Sequence, residues 1–141
     1  MNRDAVMQLV CEVASRFGDG NPQQLRQLHE RLAKVSSGEA VLGLLQVFTH
    51  GEPSPRGSQA QELAGRLLAT LEPIAPQDLK ATVRAALPRY ELSVEQFPHY
   101  LAKACGVQSV LATLGEFELE PLTPAEARAL ETMKFWLRNQ Q

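Results

Sequence analysis

The chain has 141 residues, 44% hydrophobic and 21% charged, with a formal net charge of −2 and a pI near 5.9. That length is enough to bury a core without disulfides or metals, as a single domain over 1-141. The mildly acidic balance, spread along the chain, lacks the basic footprint of a nucleic-acid binder.

Eight amphipathic stretches follow, separated by cap residues, Pro and Gly, and none reads as a strand. The first helix is expected from Arg3 to Phe17. Val6, Leu9, Val10, Val13 and Phe17 recur at three- and four-residue steps, one face of a 3.6-residue period. Gly18 and Gly20 end it. Asn21-Pro22 opens the second helix, with Asn as cap and Pro where no hydrogen bond is lost. Leu25, Leu28, Leu32 and Val35 form its stripe. The third, from Gly38 to His50, is apolar on nearly every side through Val41, Leu42, Leu44, Leu45, Val47 and Phe48, which marks a central, buried helix.

Residues Glu52 to Ser58 hold two prolines and no apolar anchor, so an exposed, mobile loop is expected. It is a candidate boundary between 1-51 and 58-141, neither clearly long enough to be an independent domain. The fourth helix carries Ala60, Leu63, Ala64, Leu67, Leu68 and Leu71, with Ser58 and Gln61 as a capping box. The fifth begins at Pro76 and buries Leu79, Val83, Ala86 and Leu87. For the sixth, Ser93-Val94-Glu95-Gln96 resembles a capping box, but Pro98 would cost a hydrogen bond, so a start near Phe97 is preferred. The seventh carries Val107, Val110, Leu111, Leu114 and Phe117. The alternation Phe117-Glu118-Leu119-Glu120 is too short for a strand of any weight. The eighth opens at Thr123-Pro124-Ala125-Glu126 and presents Ala127, Leu130, Met133 and Leu137, widened by Phe135 and Trp136. The expected fold is all-α, with seven or eight short antiparallel helices, either a bundle or a short α-solenoid. Gly43, Gly65 and Gly115 interrupt helices at up to about 1 kcal/mol each relative to Ala, which points to close helix crossings.

The chain holds no phosphate-binding P-loop, no G-x-G-x-x-G, no H-E-x-x-H and no G-x-S-x-G. His29-Glu30 lacks a second histidine four residues on and reads as a solvated face. His50 falls where an imidazole meets the last carbonyls of a helix. Cys11 and Cys105 lie far apart without a C-x-x-C pattern, so two buried reduced thiols are expected in a cytoplasmic protein. No set of ligands has metal-binding spacing, and no cofactor is expected. The first residues, Met1-Asn2-Arg3-Asp4, carry no apolar signal segment, and no apolar run approaches the roughly 18 residues of a membrane span.

One stretch concentrates interface chemistry. Arg89, Tyr90, Glu91, Glu95, His99, Tyr100 and Lys103 include both tyrosines and charges of both signs. His99 and Lys103 share a helix face. An exposed recognition patch for a macromolecule is expected there, because Tyr and Arg dominate interface hot spots. The same residues also fit a plain helix–helix connection with packed tyrosines and solvated charges. Lys80 and Arg84 share a face but make only a small basic footprint.

Similar helices joined by short connections resemble HEAT-like α-helical repeats, although no fixed-period consensus runs through the chain. The stretch Leu92 to Leu101, with the ending Met133-Lys134-Phe135-Trp136-Leu137-Arg138, resembles small uncharacterised bacterial helical proteins. The resemblance covers the C-terminal half and brings no catalytic motif. The reading that follows is a non-enzymatic protein-interaction module that binds another protein through exposed helix faces. The alternative is a small-molecule-binding or enzymatic bundle with a pocket between helices.

Overall fold

Five helix starts in this protein trace to short polar side chains that satisfy the free amides of a first turn. The computed structural model describes residues 1–139 and holds eight α-helices and no strand among them. Helix α1, Arg3–Phe17, is capped by the Asn2 side chain, and α2, Pro22–Leu32, by Asn21 with Pro22 at the first position. Ser36 caps α3, Ser37–Thr49. The fourth, α4, spans Ser58–Leu68, and α5, Leu79–Ala86, is capped by Asp78. Next come α6, Gln96–Cys105, and α7, Val107–Glu116, joined by Gly106 at φ +94°. A 3-10 turn, Phe117–Leu119, occupies the alternating stretch and leads to α8, Pro124–Arg138, where Thr123 and Glu126 close a full capping box. Each such cap is worth about 1 kcal/mol.

The helices form two rows. In one row α1 packs on α3, α3 on α5 and α5 on α7; in the other α2 packs on α4, α4 on α6 and α6 on α8. The rows meet back to back, chiefly through α1 and α3 on α4, and through α7 on α6 and α8. Short connections between helices of similar length generate this alternation, because each turn sends the chain across to the other row. One buried cluster fills the space between, from Val6 on α1 to Leu137 on α8. At its middle Phe48 of α3 stacks on Phe97 of α6 with ring centroids 4.4 Å apart, and Tyr90 lies 6.0 Å from Phe97.

Several expectations change on the structure. Ser58 does not cap α4; Gly57 holds that position with no side-chain bond. Gln61 is fully buried instead, and its amide spans to a different segment: Nε2 donates to the Arg89 carbonyl at 2.7 Å and Oε1 accepts from the Glu91 amide at 2.8 Å. The 52–58 loop is therefore held rather than loose. Ser54 donates from its amide to the Arg89 carbonyl and from Oγ to Glu91, and Gly57 is buried. Helix α5 starts at Leu79, three residues after Pro76, because Asp78 is the residue able to accept from the Ala81 amide. Phe17 and Phe135, counted on apolar faces, are 46% and 54% exposed. Cys11 and Cys105 are half-buried free thiols, each pushed above the ordinary range by burial.

The helical glycines divide. A Cβ on Gly43 would stand 2.5 Å from Val6 Cβ and 2.7 Å from the Arg3 carbonyl oxygen, so α1 crosses α3 at backbone contact there. At Gly65 it would meet Gln96 Cβ at 3.0 Å. At Gly115 it would meet nothing within 4 Å, so no close crossing explains that residue.

Candidate protein interface

The stretch singled out by its composition splits into an internal joint and a surface. The Tyr90 ring is 4% exposed, and its hydroxyl donates to the Val94 carbonyl at 2.7 Å. Burial drives this phenol far above its ordinary pKa, with the Trp136 indole as the main opposing contact. Tyr100 is 3% exposed; its hydroxyl accepts from the Ile74 amide at 2.9 Å. Both tyrosines are thus core residues that tie down connections, and the exposed tyrosine patch does not form. The Tyr90 ring packs beside Phe97, and each tyrosine hydroxyl finds a backbone partner, as buried polar groups must.

Arg89 is equally committed. Its Nε donates to the Gly51 carbonyl at 3.2 Å and Nη1 to the Ala85 carbonyl at 2.9 Å. Glu91 accepts from Ser54 Oγ at 2.6 Å. Together with Gln61, these residues clamp the 52–58 loop to the segment after α5. Glu95, at the α6 cap, is exposed but makes no capping bond.

His99 and Lys103 do share the outer side of α6. They line a groove of about 130 Å³ between α4 and α6, with Leu68, Ala69, Gln96 and Tyr100. The Gln96 Oε1 atom there is buried without a hydrogen-bond partner and packs toward Gly65. His99 Nε2 lies 3.4 Å from the Trp136 carbonyl oxygen, which joins α6 to α8.

At that joint the surface turns apolar. The Trp136 indole N–H donates to the Leu92 carbonyl at 3.0 Å, and Phe135 meets the indole edge-on with centroids 5.3 Å apart. Leu92 is 38% exposed and Phe135 54%. An aromatic pair with an anchored polar atom and an open apolar face is the composition of an interface hot spot. The sequence contained the signal. Leu130, Met133 and Leu137 fix the buried side of α8, and Phe135, two residues from Met133, falls about 200° around the helix from it. Phe135 therefore lies opposite the core stripe and does not widen it.

On the other side of α4, a groove of about 370 Å³ runs between α2 and α4, lined by Pro22, Leu25, Arg26, His29, Leu67 and Thr70. His29 and the Thr70 hydroxyl bridge it at 3.2 Å. Two further hollows, one larger and one smaller than this groove, contain polar side chains. The 630 Å³ concavity between α3 and α5 holds Arg3, paired to Glu39, and Asp78, which caps α5. A 340 Å³ hollow contains Cys11, whose thiol is shifted away from the reactive thiolate by burial and then by Glu52.

Among the described residues no three His, Cys, Asp or Glu side chains gather so as to hold a metal ion, and no helix is long and apolar enough to cross a membrane. Comparison of the chain with protein-family models, with curated proteins and with solved structures gives no match.

Proposed function

We propose that this protein is a non-enzymatic interaction module that binds another protein through the outer face of the α2–α4–α6–α8 row. The observation that carries the reading is the exposed Phe135 at the α6–α8 joint, packed on the half-buried Trp136 whose indole bonds the carbonyl of the exposed Leu92. Exposed aromatic side chains are costly in water, and their clustering beside a half-buried indole marks a surface that a partner covers. Two rows of short helices support the resemblance to HEAT-like arrays, whose open helix faces serve as binding platforms. A cytoplasmic setting belongs to the same reading, since Cys11 and Cys105 are unpaired.

Affinity capture from the native cell, with mass spectrometry of co-purifying molecules, tests this. The expected result is a protein enriched by the unaltered chain and lost with Phe135→Ser, which alters an exposed side chain and should leave the melting temperature unchanged. A small molecule retained in native mass spectra with no enriched protein would overturn the reading in favour of a ligand-binding bundle. So would a protein retained equally by Phe135→Ser.

A further inference from the structure

We infer that the partner-binding face is selective for acidic protein segments, and that an acidic amphipathic helix docks across the ridge of α4 into the two grooves flanking it. The inference rests on the reading of this row as a protein interface, and it adds the chemistry of the partner.

The two rows differ in how their charges are used. Neighbouring helices of the α1–α3–α5–α7 row are joined by ion pairs. Arg3 meets Glu39 at 2.9 Å, Arg84 meets Glu120 just beyond α7 at 2.7 Å, and Lys80 meets Glu116 at 3.4 Å. Lys80 and Arg84 also lie over the Phe117 ring, at 5.6 and 5.1 Å. The cations on that side are neutralised within the molecule.

Between α2, α4 and α6 no such pairing occurs. Arg26, Arg66 and Lys103, one from each helix, form no ion pair among the described residues. Arg26 lines the α2–α4 groove and Lys103 the α4–α6 groove. Arg66 lies on the exposed ridge between them, one turn before Thr70 and on the same side as Ala69, both exposed. The three cations therefore span a groove, a ridge and a second groove on one face, with His29 and His99 at the helix contacts.

Acids do adjoin this face: Glu62 lies one turn before Arg66, the exposed Glu95 one turn before His99, and Glu72 beside His29 and Thr70. Arg26 and Arg31 outnumber Glu30 on α2, Arg66 stands against Glu62 on α4, and Lys103 on α6 stands against Glu95 at the helix cap. Glu52, Glu72, Asp78, Glu91, Glu118 and Glu120 are all in connections. A face whose cations have no partner inside the molecule attracts acidic segments, which is how electrostatics selects partners. Leu25 gives the α2–α4 groove an apolar wall above the buried Leu67, which suits the apolar stripe of a helix whose acidic flanks then meet Arg26, Arg66 and Lys103.

Fluorescence anisotropy against defined probes tests the inference. The probes are a labelled amphipathic peptide about five turns long, with leucine on one stripe and glutamate elsewhere, its lysine counterpart, and a short DNA duplex. The glutamate peptide should bind about tenfold or more tightly than the lysine peptide, and weaken as salt rises through the range in which the Debye length falls below about 10 Å. Reversing Arg66 and Lys103 together, Arg66→Glu with Lys103→Glu, should cost about tenfold or more, whereas Arg16→Glu on α1 changes binding less than about twofold. Circular dichroism checks that each variant folds. Equal affinity for the two peptides, equal loss from Arg16→Glu, or tighter binding to the DNA duplex would overturn the inference. The capture experiment is independent: a protein partner lost with Phe135→Ser, alongside peptides that bind equally, would leave the interface reading standing and remove only the preference for acid.

Discussion

Adding one methyl group at Gly43 and at Gly115 should move stability in opposite directions. Both glycines lie in α-helices at negative φ, and Ala is preferred over Gly in a helix interior by roughly 0.8–1 kcal/mol. At Gly115 the new Cβ meets nothing within 4 Å, so most of that preference is realised. A gain of about 0.5–1 kcal/mol is expected, reduced by the position one residue before the helix end, or a rise of roughly 2–4 °C in melting temperature. At Gly43 the Cβ would sit 2.5 Å from Val6 Cβ and 2.7 Å from the Arg3 carbonyl oxygen. Val6 is fully buried and the Arg3 oxygen belongs to the backbone of α1, so neither can rotate away. The helices must separate, and overpacking of that kind costs about 1–3 kcal/mol, which exceeds the propensity gain. Urea denaturation of Gly43→Ala and Gly115→Ala, followed by circular dichroism, measures both. A Gly43→Ala protein as stable as the parent would refute the close crossing of α1 and α3.

Replacing Gln61 by Leu keeps the volume but strands the Glu91 amide and one bond to the Arg89 carbonyl, so a loss of about 1–3 kcal/mol is expected in the same denaturation assay; an unchanged midpoint would contradict the clamp. Tyr100→Phe removes the acceptor of the Ile74 amide and should cost about 1 kcal/mol by thermal melting. A larger effect on partner binding than on melting would return Tyr100 to the interface. Arg3 and Arg84 hold the Glu39 and Glu120 carboxyls below the usual range through hydrogen bonds. A depressed folded pKa means the unfolded chain binds more protons, so this stabilisation is present above about pH 4.3 and is lost as pH falls through the depressed values. Glu120→Gln should therefore flatten the acid side of the stability–pH curve, and an identical curve for variant and parent would contradict the pairing.

The helices were legible because their signals are local. Asn21 and Thr123 cap where cap residues are expected, and the capping box at Thr123 and Glu126 forms in full. The Ser58–Gln61 pattern failed because Gln61 has a stronger use elsewhere: a buried amide can satisfy the Arg89 carbonyl and the Glu91 amide at once. That partner is about thirty residues away in sequence, and no local pattern encodes it. The tyrosines misled for the same reason, since Tyr90 is drawn inward beside Phe97 of α6, which itself stacks on Phe48 of α3. Lys134 was invisible too. It reads as a solvated charge, yet the side chain is buried and pairs with Glu118 and Glu131. Burial, and after it Arg138, pulls its ammonium below the usual lysine range, against the pull of those two carboxylates. Of the candidate site, Glu95, His99 and Lys103 remain at the surface; the aromatic anchor beside them comes from α8.

Photo-crosslinking tests the central claim most directly. A benzophenone side chain placed at Phe135, and in a second protein at Glu12 on the opposite row, is irradiated in the native cell. Both positions are exposed, so both variants should fold. A discrete protein adduct from position 135 and none from position 12 is the predicted result. Adducts from both positions alike, or from neither, would contradict a partner-binding face on the α2–α4–α6–α8 row.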